Sequence, residues 1–390
     1  MSGVRVAGTG LTKFGQFPER TGRDLFAEAG LAAIDEAGID PTAVEHLYFG
    51  NFMGELAEHQ GHQGPLMAEA IGVTAPATRL ETACASAGVA VREAVKTVRS
   101  GEADVVVAGG MERMTNLGTA RATEGLAIAA DDLYEIRGGM TFPAAYALMA
   151  QAYFDEFGGD AEDLAHVAVK NHDNALPNEH AQFRNAITVE DVLDAPRIAD
   201  PIGLYDACPI TDGAAAIVVV SEDFADREGI DAGVAVTGSG QGGDNLALQD
   251  RKHLARSPAA TKAAEMAYED ADIGPEDVDV AEVHDCFTIA EVMAIESLGF
   301  YEPGEGIGAA RRGETTRDGD LPVNLSGGLK AKGHPVGATG VAQIVAVTRL
   351  LRGDHPRSPD IPTPKIGVAH NAGGTVASAT VHVLEEVSDE

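Results

Sequence analysis

The chain has 390 residues, 44% of them hydrophobic, enough to bury a large core as two or three domains or as one duplicated fold. Its 61 Asp and Glu against 28 Lys and Arg give a formal net charge of −33, which argues against the basic footprint that nucleic acid or an anionic membrane requires. Three cysteines without a CxxC pair, Cys84, Cys208 and Cys286, exclude a disulfide framework and point away from zinc or iron–sulfur ligation.

No apolar run approaches the roughly 18 residues of a membrane span, and no charged-then-apolar leader opens the chain, so it reads as cytoplasmic. Acidic, with lysine the scarcer basic residue, the surface reads as an adaptation to high salt, where screening relieves self-repulsion.

In chain order, residues 4–8 start a strand, and residues 21–38 form a helix with Leu25, Ala29, Ala32, Ala33 and Ala37 on its buried side. Residues 44–52 read as a strand and the loop after it, and residues 54–64 as loop followed by helix. The stretch Glu81-Thr82-Ala83-Cys84-Ala85-Ser86-Ala87-Gly88 sets one cysteine among small residues before an amphipathic run, residues 89–99. A cysteine at a helix N-terminus is favoured as thiolate by the dipole and the free N–H groups, although a buried, inert cysteine has the same local pattern.

Residues 104–108 are a buried strand by β-branched continuity, and residues 109–114 a loop. Residues 115–209 break the strand–helix rhythm and read as an excursion that covers a site, with a helix over residues 143–156. A Gly-led apolar strand follows at residues 212–220.

Beyond it the chain starts again. Residues 33–44 match residues 267–278 without a gap at two alanines, an isoleucine, a proline and a valine. Gly88-Val89-Ala90 with Ala94-Val95 and Gly101 matches Gly340-Val341-Ala342 with Ala346-Val347 and Gly353. A duplicated βαβ-type unit accounts for both pairings and brings the Cys84 loop opposite the Gly333-His334-Pro335 loop near a pseudo-twofold axis.

Three later stretches read as strands ending in polar residues and glycine: residues 280–283 before His284-Asp285-Cys286-Phe287, residues 324–332 before Gly333-His334-Pro335-Val336-Gly337-Ala338-Thr339-Gly340, and residues 365–369 before His370-Asn371-Ala372-Gly373-Gly374-Thr375. With the Cys84 block, these stretches resemble the thiolase superfamily over essentially the whole chain, the Gly-His-Pro block most specifically. His-Asp-Cys-Phe, where ordinary thiolases carry Asn-Glu-Ala-Phe, and the lack of a later cysteine resemble the sterol-carrier-type and archaeal thiolases, and with the acidic surface suggest a halophilic archaeon.

The resemblance implies a duplicated α/β fold with two five-stranded mixed sheets in αβαβα layers. Its halves would be residues 1–114 with 210–232 and residues 233–390, with residues 115–209 an inserted loop domain. It implies reversible acetyl-CoA C-acetyl transfer, with thiolysis of longer 3-oxoacyl-CoA as an alternative and a non-catalytic acyl-CoA or lipid scaffold as a third reading. Cys84 would be acylated, His334 would take its proton, His284 would serve an oxyanion, and Cys286 or His370 would handle the α-proton. Backbone N–H groups of Cys84, Gly373 and Gly374 would form a second oxyanion site, where glycine lets the backbone come close to a carbonyl.

Coenzyme A thioesters are then substrates, with no resident cofactor or metal. Arg184, Lys252 and Ser326, with Lys330 and Lys332, are candidates to hold coenzyme A, and Met111, Met140 and Phe142 to set pocket depth. Cys208 reads as structural. A homodimer or tetramer is implied, as is a small OB-fold or zinc-ribbon partner.

Overall fold

The computed structural model describes residues 3–387. Its strands are β1 Val4–Leu11, β2 His46–Gly50, β3 Ala77–Leu80, β4 Val105–Glu112, the short pair β5 Arg197–Ala199 and β6 Ile202–Gly203, then β7 Gly213–Ser221, β8 Val234–Gly243, β9 Val280–Glu282, β10 Ile366–Gly373 and β11 Ser378–Glu386. Seven helices frame the site: α1 Gly22–Glu36, α2 Ser86–Arg99, α3 Phe142–Phe157, α4 Ala161–Ala175, α5 Pro258–Ala271, α6 Thr288–Ser297 and α7 Thr339–Arg352. None is long and apolar enough to cross a membrane.

Two separate five-stranded sheets were expected; the strands form one nine-stranded mixed sheet, β3-β2-β4-β7-β1-β8-β11-β10-β9. The order nonetheless reads the same outward from its seam, where β1 and β8 share the single register pair Arg5 and Ala235. Five strands lie on one side and four on the other. The fifth position of the second half shrinks to a lone bridge between Ala281 and Val323. There Pro322 offers only its carbonyl to Ala281, and Asn324 turns left-handed at φ 59°, so the ladder cannot extend.

Alternating side chains on β4 and β7 feed two cores. Val105, Val107, Val218 and Val220 pack toward α1, while Val106, Ala108, Ile217 and Val219 pack toward α2 and α7. The Thr21 side chain and the Asp24 carboxylate cap the start of α1 reciprocally.

The repeat has a physical basis in glycine–alanine contacts. A Cβ on Gly10 would lie 1.8 Å from the Ala29 carbonyl of α1, and one on Gly240 would lie 1.9 Å from the Ala263 carbonyl of α5. The same close strand–helix approach is thus built twice. The equivalent helices α2 and α7 meet at the matched glycines, where a Cβ on Gly340 would lie 2.3 Å from the Gly88 nitrogen.

Some local expectations need correction. Residues 109–112 continue β4 because Gly109 to Glu112 pair with Ala216 to Gly213. Residues 324–332 form no strand: after the Val323 bridge they turn and make one helical turn, Gly328–Lys332, tied down by the buried Asp285 carboxylate through the Leu329 and Lys330 N–H groups. His370 and Asn371 lie within β10 rather than beyond it.

Candidate active site

Cys84 stands two residues before α2, after Ala83 at φ 51°, a left-handed position that throws the following residue outward. The turn is closed by Ser86, whose hydroxyl accepts from the Thr82 N–H and donates to the Ala83 carbonyl. His334 follows Gly333 at φ 115° and is anchored by its own N–H donating to the Thr211 hydroxyl at 3.0 Å. His284 and Cys286 lie between β9 and α6.

These loops converge. The Cys84 sulfur and one ring nitrogen each of His284 and His334 lie within 4.8 Å of one another, all three side chains buried. The two imidazoles meet edge to face, with centroids 5.0 Å apart.

Hydrogen bonding settles both tautomers. The Thr339 hydroxyl donates its one proton to the Pro335 carbonyl at 3.0 Å, so it can only accept from Nδ1 of His334 at 2.7 Å. Nε2 of His334 is therefore bare and able to take a proton. The Asn371 Oδ1 accepts from the Gly88 N–H at 3.2 Å, which turns its Nδ2 toward Nδ1 of His284 at 3.1 Å. His284 accordingly carries its proton on Nε2, a buried donor with no partner among the described residues.

A thiol with two imidazoles is also a donor set for a zinc-type ion. As arranged, Nε2 of His284 is protonated and points a hydrogen where a metal needs a lone pair, so the set does not fit a metal without turning the Asn371 amide.

Burial pushes the Cys84 thiol up to about 12, outweighing the N–H groups of Gly374 and of Cys84 itself that face the sulfur. The thiolate expected from the helix end is thus not the resting form. Burial holds His334 down to about 3, neutral and ready to accept. Burial first, and Cys208 second, raise Cys286 well above its ordinary value, so it rests as a thiol.

His370 sits behind His284. Its Nδ1 accepts from the His284 N–H at 3.4 Å, leaving the proton on an unpartnered Nε2.

Of the glycines, Gly374 (φ 61°) presents its N–H to the Cys84 sulfur, while a Cβ on Gly373 would strike the Thr82 carbonyl at 2.3 Å. Met140 and Phe142 line a small cavity with Thr141, Ala145 and Thr375. Met111 does not: it packs in the core under α1.

Ser326, Lys330 and Lys332 are also displaced from the expected role. Ser326 donates to the buried Glu282 carboxylate, Lys332 donates to Ser326 at 2.7 Å, and Lys330 is enclosed beside His172 and the Tyr205 ring. A carboxylate network holds them inside, out of reach of a solvent-facing phosphate. Arg184 and Lys252 are exposed.

With this geometry in view, comparison with known proteins is direct. Residues 4–223 match the thiolase N-terminal domain model and residues 240–386 the thiolase C-terminal domain-like model. The chain belongs to the thiolase family. It is 44% identical to an acetyl-CoA acetyltransferase of Methanothermobacter thermautotrophicus over 98% of this chain and 100% of that one. It is 36% identical to the benzoylsuccinyl-CoA thiolase subunit BbsB of Thauera aromatica, over 95% and 94%. Rat sterol carrier protein 2 is 31% identical, over 97% of this chain and 71% of that one. A solved structure titled Ltp2-ChsH2(DUF35) aldolase superposes with a TM-score of 0.82 at 26% identity, covering 98% of both chains.

Three residues of this thiolase that shape the site escaped the sequence reading. Asn371 and Thr339 set the two tautomers. Glu112, pushed up to about 7 chiefly by burial, accepts from Asn51, Phe52, Met53 and Gly337 and so joins the Gly-His-Pro loop to the first half. All three are ordinary residue types in that sequence context; Asn371 and Thr339 carried a visible signal, each lying in a glycine-rich block with a histidine.

Proposed function

We propose that this thiolase is an acetyl-CoA C-acetyltransferase working through an acyl-Cys84 intermediate. The observation that carries the reading is the Cys84, His334 and His284 triad, in which one imidazole can only accept and the other can only donate.

In the condensation direction Cys84 attacks the first thioester as its proton passes to Nε2 of His334. The N–H groups of Cys84 and Gly374 meet the oxyanion. Coenzyme A departs as a thiolate and takes the proton of Cys286 only once the acyl group is on Cys84, so acylation itself does not depend on Cys286. Cys286, now a thiolate, removes the α-proton of the second acetyl-CoA, and Nε2–H of His284 with the protonated His334 stabilises the enolate oxygen. The enolate carbon attacks the acyl group, and Cys84 leaves and recovers its proton from His334. Each residue ends in its starting protonation state: the Cys84 proton returns from His334, and the Cys286 proton, lost to coenzyme A, is replaced by the α-proton.

Cys286 is favoured over His370 as the acid/base because Nε2 of His370 already carries a proton while Nδ1 is engaged by a peptide. Arg184 lies beside Gln182 and Phe183, which bond to Lys332 and Ala331 ahead of His334; Lys252 follows Arg251, which grips Thr375. We assign the phosphates of coenzyme A to these two exposed groups.

The proposed division is residues 1–114 with 210–232, an insert over 115–209, and residues 233–390, the insert contributing Tyr146 and Phe142 beside Gly374. A homo-oligomer, an OB-fold or zinc-ribbon partner, a cytoplasmic setting and a halophilic source remain part of this reading. The net charge of −33 supports the last, and the DUF35 component of the similar aldolase structure supports the partner. Longer-chain thiolysis is the second reading; it needs the cavity at Met140 and Phe142, about 10 Å³ as it stands, to open for a longer chain.

A steady-state assay of 3-oxoacyl-CoA thiolysis across chain lengths, in molar KCl and in dilute buffer, tests the reading. Highest kcat/KM for acetoacetyl-CoA, with activity retained only in salt, supports it. A preference for long chains moves the assignment to the second reading, and no turnover with any chain length contradicts both.

A further inference from the structure

We propose that Tyr146 is a positioning residue for the Cys286 acid/base, its hydroxyl donating to the Gly374 carbonyl while Cys286 is a thiol and turning to the Cys286 sulfur when that sulfur is charged. The inference rests on the assignment of the α-proton to Cys286.

Tyr146 comes from α3 in the inserted segment, is 1% exposed, and stacks on Phe287 with ring centroids 4.5 Å apart at 25°. Its hydroxyl donates to the Gly374 carbonyl at 3.0 Å. Tyr146, Cys286 and Phe287 share one buried apolar cluster, and the phenol oxygen faces the Cys286 thiol closely enough to bias its ionisation.

A phenol has one proton and lone pairs to accept with. With the proton committed to Gly374, the phenol oxygen has only lone pairs to offer toward the neighbouring Cys286 thiol.

Between the half-reactions Cys286 has given up its proton, and a thiolate stands where water does not reach. The phenol proton has a better acceptor there, because a hydrogen bond to a charged group is roughly twice as strong as a neutral one. The O–H rotates from oxygen to sulfur and no proton leaves Tyr146. The Cys286 proton leaves on coenzyme A and is replaced by the substrate α-proton.

Gly374 is the shared hinge: the peptide before it directs N–H at the Cys84 sulfur, and the carbonyl after it holds Tyr146. Other titratable or charged groups face this pair: Cys84 and Arg251 toward Tyr146, and Cys208, Cys84 and Asp285 toward Cys286. Arg251 is held on Thr375, beside the same hinge.

Tyr146→Phe keeps the ring and its stack on Phe287 and removes the hydroxyl. Acetyl transfer to Cys84 should stay within about threefold of wild type, while turnover falls about 10- to 100-fold, the worth of a hydrogen bond to a charged group. The pH limb that reports Cys286 should move upward. Placing 3-fluorotyrosine at position 146, a stronger donor of nearly the same size, should move that limb downward. Unchanged turnover and limb in Tyr146→Phe, or a loss of Cys84 acylation equal to the loss of turnover, overturns the proposal, as does a fluorotyrosine shift in the same direction as Phe. Should Tyr146→Phe not fold, the fluorotyrosine enzyme decides alone. Cys286→Ser with near wild-type turnover overturns the base assignment and this proposal together, whereas an inactive Cys286→Ser beside an unchanged Tyr146→Phe overturns this proposal only.

Discussion

Asn371 donates to Nδ1 of His284 at 3.1 Å while its carbonyl oxygen accepts from the Gly88 N–H, so the orientation of one amide decides which nitrogen of His284 carries a proton. Two β10 residues side by side, His370 and Asn371, thus fasten the His284 main chain and the His284 ring.

Asn371→Asp puts an acceptor against Nδ1 of His284 and draws the proton there, leaving Nε2 bare. Loss of one oxyanion donor should lower condensation kcat about 10²- to 10³-fold. The same change turns Cys84, His284 and His334 into a true donor set, so micromolar zinc should inhibit the variant much more strongly than wild type. Cobalt substitution, read by its thiolate absorption, checks the second half of the prediction. A variant with near wild-type kcat and no gain in metal affinity would show that the tautomer is set by something else.

Thr339→Val leaves Nδ1–H of His334 buried without its partner, a cost of about 1–3 kcal/mol, and frees the ring to change tautomer. Acylation of Cys84 should slow by about tenfold or more, measured as single-turnover release of coenzyme A. Thr339→Ser should restore most of the rate because it retains the hydroxyl.

Cys286→Ser and His370→Asn divide the acid/base question. The first should acetylate Cys84 but lose about 10²- to 10⁴-fold in condensation, the usual worth of a positioned base. The second should keep condensation within about tenfold, because His370 rests in the donor tautomer. The reverse pattern would give the role to His370.

Acid should unfold the protein early. His172, His284, His334, His355, His370 and His382 are all held below their ordinary value, with burial as the leading cause. The unfolded chain protonates them as pH falls through 6.5, while in the folded chain His172, His370 and His382 wait until about 4, His334 and His355 until about 3, and His284 is held well below its ordinary value. Each therefore withdraws up to about 1.4 kcal/mol of stability per pH unit below 6.5. Glu112 and Asp285, raised chiefly by burial, work the other way between about 7 and their unfolded values, since the folded state holds those protons first. The histidines outnumber them, so urea midpoints should drop steeply from pH 7 to pH 5. A flat profile over that range would contradict the buried neutral histidines.

Beneath the Cys286 loop, Lys170 and Glu291 form a buried ion pair at 2.6 Å, with Asn171 and Asn324 also donating to Glu291. Lys170→Met should cost about 3–5 kcal/mol by leaving a buried carboxylate unpaired. The double variant Lys170→Met with Glu291→Gln should recover part of that loss in chemical denaturation.

Strand and helix order was legible because valine runs and alanine faces repeat at periods set by backbone geometry, and the Gly88 and Gly340 match was legible because both glycines serve one helix crossing. The joining of the two expected sheets into one was not, since a single pair at Arg5 and Ala235 makes it and leaves no compositional trace. Cys84, His284, Cys286 and His334 stood out by motif, and the structure brings Cys84, His284 and His334 within 4.8 Å. What motif reading could not reach was protonation: the Cys84 resting state depends on how deeply the turn is buried, and the imidazole tautomers depend on Thr339 and Asn371. Lys330, Lys332 and Ser326 misled because a basic residue near a glycine loop reads alike whether it faces a phosphate or a buried carboxylate such as Glu282.

The claim on which the rest depends is that Cys84 is the residue acylated. Peptide mass spectrometry of the wild-type and Cys286→Ser enzymes, quenched after mixing with acetyl-CoA, measures it directly. The account predicts one acetyl group, on Cys84, in both proteins, accumulating further in Cys286→Ser, and none in Cys84→Ser. An unmodified Cys84, or an acetyl group on Cys286 or Cys208 in its place, would contradict it.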